Sequence, residues 1–185
     1  MPEVFTRTLA SVIDDADSSS DNAWRFDSWV PDALIINLGT NDVSSGSYDE
    51  SSFAAAYVAL CLNVSAHYAT AAGGAGVTLF LACGPMSDAY CGGVKLALAQ
   101  ITTLKATAVA AATAAAALDG LTTTRTVQPL PRAAYFLDQT NLAGVSLGCC
   151  GHPSVADDKA MAASSGAFIF DVMGWTSSST WTGAY

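Results

Sequence analysis

Two short segments carry residue types that could perform acyl transfer. Gly39-Thr40-Asn41-Asp42 places a hydroxyl, an amide and a carboxylate directly after an apolar run. Gly148-Cys149-Cys150-Gly151-His152-Pro153-Ser154 places an imidazole ahead of a helical pattern. Ester hydrolysis needs a nucleophile, a base to take its proton, and donors for the oxyanion. Asn41 suits the donor role, because an amide NH2 at a strand end is neutral and fixed. His152 suits the base. Pro153 fits a first helical position, which puts His152 at the helix cap, where the positive end of the dipole keeps imidazole neutral. Asp42 is expected to brace its loop through backbone amides. Plainer readings stand beside these: an ordinary polar turn at residues 39–42, and a histidine that only caps a helix. The other histidine, His67, has no comparable setting.

Stepping outward, Ala33 to Leu38 has five apolar residues in six, bounded by Pro31 and Gly39, and reads as a strand buried on both faces. Ser51 or Ser52 can cap a helix through about Tyr68, with Phe53, Tyr57, Leu60, Cys61 and Val64 inward. Asn63-Val64-Ser65 is a glycosylation sequon placed mid-helix. Val77 to Cys83 is a second core strand, ending in Gly84-Pro85. Gly93 to Leu118 is a long Ala- and Thr-rich helical stretch, with a bend or interruption left open. Thr122–Val127 and Ala133–Leu137 compete as the third strand, and the second is preferred because it leads to the histidine loop. A last helix runs from Pro153 to about Val172, with Val155, Met161, Phe168, Ile169 and Val172 inward and Gly174 as its stop. Val4, Phe5, Leu9, Val12 and Ile13 suggest an opening helix, closed by an acidic loop over residues 14–22. Thr176 to Tyr185 is a loose Ser/Thr-rich tail.

Strands alternating with helices predict α/β architecture with a parallel sheet covered on both faces. At 185 residues the chain suits one domain with a real core. A net charge of −9 argues against nucleic acid, which is bound through Lys and Arg, and against an anionic membrane surface. No uninterrupted apolar run approaches the roughly 20 residues of a spanning helix. Nothing at Met1-Pro2-Glu3-Val4 has the succession of a signal peptide. Five cysteines nevertheless suggest an oxidising compartment, so localisation is left unknown with secretion suspected.

Taken together, Trp29-x-Pro31-Asp32, Gly39-Thr40-Asn41-Asp42 and His152-Pro153-Ser154 resemble blocks of the SGNH (GDSL-like) hydrolases, and among them carbohydrate esterase family 2. The resemblance implies a three-layer flavodoxin-like sandwich over residues 1–175. It implies an acetyl- or carboxylesterase acting on an acyl ester, with an O-acetylated sugar as the expected substrate and no cofactor. It assigns His152 as general base, Asn41 as oxyanion donor and Gly39 as the turn. Two features depart from the family. Cys149, Cys150 and Gly151 fill the run where an orienting Asp would stand, leaving Asp157 and Asp158 beyond the histidine. The Gly-Asp-Ser block that supplies the nucleophile is absent, since Asp17-Ser18 and Asp27-Ser28 follow no buried strand. The expectation is therefore a partial esterase domain lacking its first strand or strands, not competent by itself. Ala33–Leu38 would then be a bare edge open to self-association.

Two other classes remain open. Trp24, Trp29, Tyr48 and Trp175 could be sugar platforms of a non-catalytic carbohydrate binder. Cys83, Cys91, Cys149, Cys150 and His152 could form a zinc site, although no Cys-x-x-Cys spacing is present. A Cys91–Cys149 disulfide that pins the histidine loop is the expected bridge.

Overall fold

The computed structural model describes Phe5 and residues 23–71, 76–117, 129–140 and 148–176. The strands are β1 (Ala33–Asn37), β2 (Thr78–Cys83) and β3 (Ala133–Asp138). The helices are α1 (Thr40–Ser44), α2 (Glu50–Ala71), α3 (Cys91–Ala117) and α4 (Val155–Met173). The described strands form one parallel sheet in the order β1-β2-β3. This is the mixed α/β class that the alternation predicted, and it is consistent with the flavodoxin-like fold that the resemblance implied. The opening helix, the acidic loop, Thr122–Val127 and most of the tail lie outside the described residues.

Register divides the side chains between two faces, since successive strand residues point opposite ways. Leu34, Leu79 and Ala134 align across the sheet, as do Ile36, Leu81 and Phe136. These face α2 and α3, where Tyr57, Cys61, Val64, Val94, Ala97 and Ile101 are buried. Tyr57 also donates its hydroxyl to the Ile36 carbonyl at 2.8 Å, fixing α2 to β1. On the other face Phe80, Ala82 and Leu137 pack with Ile169, Val172 and Met173 of α4. The result is three layers.

β2 is buried at every position, as a central strand should be. β1 is not. Ile35 aligns with Phe80 and Tyr135 but is 50% exposed. The expectation of burial on both faces fails here because the α4 contacts fall on β2 and β3. Among the described residues, no strand pairs with the outer edge of β1. A cavity of about 350 Å³ runs along that edge, lined by Phe5, Ile35, Leu38, Leu60 and Val64 among others.

The helix ends differ from expectation in instructive ways. Asp49, not Ser51 or Ser52, caps α2, accepting from the Ser52 N–H at 2.8 Å. Ser154, not His152, caps α4, in a capping box with Asp157. Gly174 stops α4 at φ 66, as expected. Val155 is 70% exposed rather than inward, because α4 touches the sheet only in its second half. α3 is continuous over 27 residues. By length and composition its Cys91–Ala114 stretch is apolar enough to cross a membrane, which a search for unbroken runs missed. Its first half is committed to the core through Val94, Ala97 and Ile101.

Candidate active site

The carboxyl ends of the three strands are tied by one chain of polar contacts. Asn37, the last residue of β1, donates its amide to the Gly84 carbonyl at 2.8 Å and to Gln139 Oε1 at 3.0 Å. Its own Oδ1 accepts from the Tyr90 hydroxyl at 3.0 Å. The Gly84 N–H donates to the same phenol at 3.1 Å. Gln139, just past β3, donates onward to Ser165 Oγ of α4 at 3.0 Å. Tyr90, Gln139 and Ser165 are all buried, so these groups must satisfy one another. Asn37, Tyr90, Gln139 and Ser165 were not singled out from sequence. The available signal was Asn37, the single polar residue in the run Ala33–Leu38.

Two glycines make this arrangement possible. Gly39 holds φ 137, and a Cβ there would stand 2.4 Å from the Tyr90 ring. Gly84 holds φ 99, and a Cβ there would meet the Gln139 backbone at 2.6 Å. Only glycine tolerates both the backbone and the crowding. Gly39 stands immediately ahead of α1, as its N-cap residue.

Asn41 follows in α1 and is exposed, and α1 is held by backbone carbonyls reached from Ser44 and Ser45. His152 is also exposed. Its backbone is pinned: the His152 N–H donates to the Cys149 carbonyl at 3.2 Å, and the Gly148 N–H donates to the His152 carbonyl at 2.8 Å. Among the described residues, no hydrogen bond joins the His152 and Asn41 side chains, and no carboxylate is paired with His152. The Asp157 carboxylate accepts from the Ser154 N–H at 2.9 Å and its hydroxyl at 2.7 Å. With Ser154 as the cap, His152 lies outside the helix.

Ser165 anchors α4 at the strand ends, and Val155 lies ten residues up the axis, about 15 Å away. His152 precedes the Ser154 cap by two residues. Asn41 stands four residues after Asn37, the residue that Gln139 links to Ser165. Trp175 sits at the opposite end of α4, about 28 Å along the helix from Val155. There it packs edge-on against Phe170. The structure does not bring Trp175 to the same end as His152. Trp24 and Trp29 are exposed at 38% and 63%, while Phe26 between them packs inward on His67 and Tyr68. His67 is an aromatic core partner, its ring 4.2 Å from Phe26.

No serine hydroxyl is hydrogen-bonded to His152 among the described residues; Ser28 donates to the Arg25 carbonyl at 2.6 Å. The cysteines correct two expectations. Cys83 bonds to Cys91, with Cα atoms 5.3 Å apart, so a Cys91–Cys149 bridge is ruled out. The short loop between them returns α3 to the end of β2, which is what places the two sulfurs together. That bridge removes two members of the supposed zinc site, and the described residues contain no cluster of three metal-ligating side chains. Cys61 is a buried thiol whose pKa is pushed up to about 12 by desolvation.

No family model matches the chain, and no solved structure matches it. Over 63 residues, 34% of its length, the chain is 38% identical to a protein of Acetivibrio thermocellus named cellulase/esterase CelE. The chain spans 7% of that protein's length, and the similarity is partial.

Proposed function

We propose that this chain is an acyl-ester hydrolase scaffold of SGNH type, directed at acetylated carbohydrate. In this reading Asn41 donates to the oxyanion, His152 is the general base, and Gly39 sets the turn that presents Asn41. The observation that carries the reading is the partial likeness to a cellulase/esterase. The parallel sheet adds support, because ligands of open α/β sheets bind outside the carboxyl ends of the strands. The polar network of Asn37, Tyr90 and Gln139 holds those ends in register beneath Gly39.

Chemistry limits what the chain does unaided. Attack on the ester carbonyl needs an oxygen nucleophile whose proton passes to His152, and no described serine stands against that imidazole. A serine protease that loses its nucleophile keeps about 10³–10⁴-fold over water, from binding and the oxyanion hole. The chain is therefore expected not to hydrolyse aryl acetates above background. A strand carrying Gly-Asp-Ser, added ahead of the chain to pair with the open edge of β1, supplies the absent group. That chimaera should hydrolyse 4-nitrophenyl acetate, and His152→Ala or Asn41→Ala should remove most of the rate.

The exposure of Trp24 and Trp29 favours one second reading, a carbohydrate binder without turnover. Binding of acetylated xylan that is lost with Trp29→Ala, in a chimaera that stays inactive, would favour it over the esterase.

A further inference from the structure

Cys149 and Cys150 are adjacent, exposed and outside the bridge made by Cys83 and Cys91. Neighbouring side chains ordinarily diverge, pointing to opposite faces of a strand or around a helix. Here Cys150 adopts φ 60, ψ 30, the left-handed region that a non-glycine residue seldom occupies. That turn brings the two Sγ atoms to 2.9 Å, about 1 Å beyond a disulfide bond length. Gly151 follows at φ 79, and nothing lies within 4 Å of where a Cβ on it would stand, its chain neighbours aside. The buried Cys61 shows the contrast: its thiol is shut away and held protonated by desolvation.

The geometry points to a reversible dithiol–disulfide site at Cys149–Cys150, closed by exchange with small-molecule disulfides, whose closure resets the backbone at His152. The reaction balances in two steps. The Cys149 thiolate attacks one sulfur of a small disulfide, forming a mixed disulfide and expelling one small thiolate. Cys150 then loses its proton and attacks Cys149 Sγ, expelling the second. Two electrons pass from the cysteine pair to the small disulfide, which leaves as two thiols. The hydrogen-bond contact between the sulfurs pushes the Cys150 thiol up.

Lability follows from spacing. Adjacent Cα atoms are about 3.8 Å apart, below the roughly 4.4–6.8 Å of ordinary disulfides, so the closed ring is strained and easily reduced. Strained, exposed disulfides are the labile ones. Cys83–Cys91, with Cα atoms 5.3 Å apart and both residues buried, belongs to the structural kind. The link to His152 is direct. Cys149 supplies the carbonyl that accepts the His152 N–H, and the Gly148 N–H closes onto the His152 carbonyl. Closing the ring turns the peptide between Cys149 and Cys150, and both contacts must adjust.

The test uses the whole chain in buffers of reduced and oxidised glutathione, quenched by alkylation and cut with trypsin. Peptide 133–159 contains Cys149 and Cys150 and no other cysteine. It should carry two alkyl groups in reducing buffer and, in oxidising buffer, none with a mass loss of two hydrogens. Reduction should occur where Cys83–Cys91 is still oxidised. Cys150→Ser should stop at a glutathione adduct on Cys149. In NMR the His152 imidazole signals should move on closure while those of His67 stay. A persistent glutathione adduct on the unmodified chain, or two alkylated thiols throughout, overturns the site. A closed ring with unmoved His152 signals overturns its link to the histidine. None of these readouts depends on ester hydrolysis.

Discussion

The amide oxygen of Asn37 and the phenol of Tyr90 meet at 3.0 Å beneath the turn at Gly39, joining the end of β1 to the start of α3. Tyr90→Phe keeps the ring but leaves Asn37 Oδ1 and the Gly84 N–H short of a partner. It should cost about 1–3 kcal/mol, read as a lower urea midpoint with an unchanged slope. Gly39→Ala should cost more, because it adds a carbon 2.4 Å from that ring at φ 137. The two changes should not add: in a Tyr90→Ala background the Gly39→Ala penalty should shrink. Equal penalties in both backgrounds would break the claimed contact.

The Cys83–Cys91 bridge closes a loop with a sequence separation of 8. Loop-closure entropy for that length gives about 2–3 kcal/mol of stability. The double variant Cys83→Ala/Cys91→Ala should lose that much in equilibrium unfolding. Non-reducing peptide maps should show Cys83 linked to Cys91, and a Cys91–Cys149 peptide would contradict the fold.

Two carboxylates are held below the usual range by hydrogen bonds that favour the charged form. Asp138 accepts from the Thr140 hydroxyl at 2.7 Å and N–H at 3.0 Å, and Asp49 is held by Ser52. A depressed folded-state pKa stabilises the protein above the unfolded value, near 4, and that contribution is lost as pH falls through the folded value. Stability should therefore drop below about pH 4. Thr140→Val should raise the Asp138 pKa, measured by carboxyl NMR titration.

The outer edge of β1 exposes half of Ile35 beside an apolar cavity. Such edges are templates for pairing. The chain is expected to self-associate as concentration rises, and Ile35→Lys should shift sedimentation toward monomer without lowering the unfolding midpoint. A wild-type chain that stays monomeric at high concentration would contradict edge association.

Much of the fold was legible because apolar runs bounded by Gly and Pro leave few options: β2 and the inward face of α2 follow from spacing, and β3 was chosen over Thr122–Val127 because it leads to the histidine loop. β1 was read as a strand, but its exposure was not, since burial depends on what other segments cover it. The α4 cap was misread from Pro153 although Ser154 and Asp157 carry the capping-box spacing. Tyr90 and Gln139 were invisible because an uncharged polar residue gives no periodic signal, and its burial is set by partners 53 and 102 residues from Asn37. The cysteine pairing was decided by a loop that doubles back from β2, a three-dimensional fact that five cysteines in a row of text do not encode. Asn41 and His152 were identified by residue type and neighbours.

The measurement that tests the central claim is the initial rate of 4-nitrophenyl acetate hydrolysis, compared for the unmodified chain, the Gly-Asp-Ser chimaera and its His152→Ala form. The account predicts background for the chain, saturable turnover for the chimaera, and a loss of about 10³-fold or more on removing His152. Saturable turnover by the unmodified chain that survives His152→Ala but disappears with Ser28→Ala would contradict it.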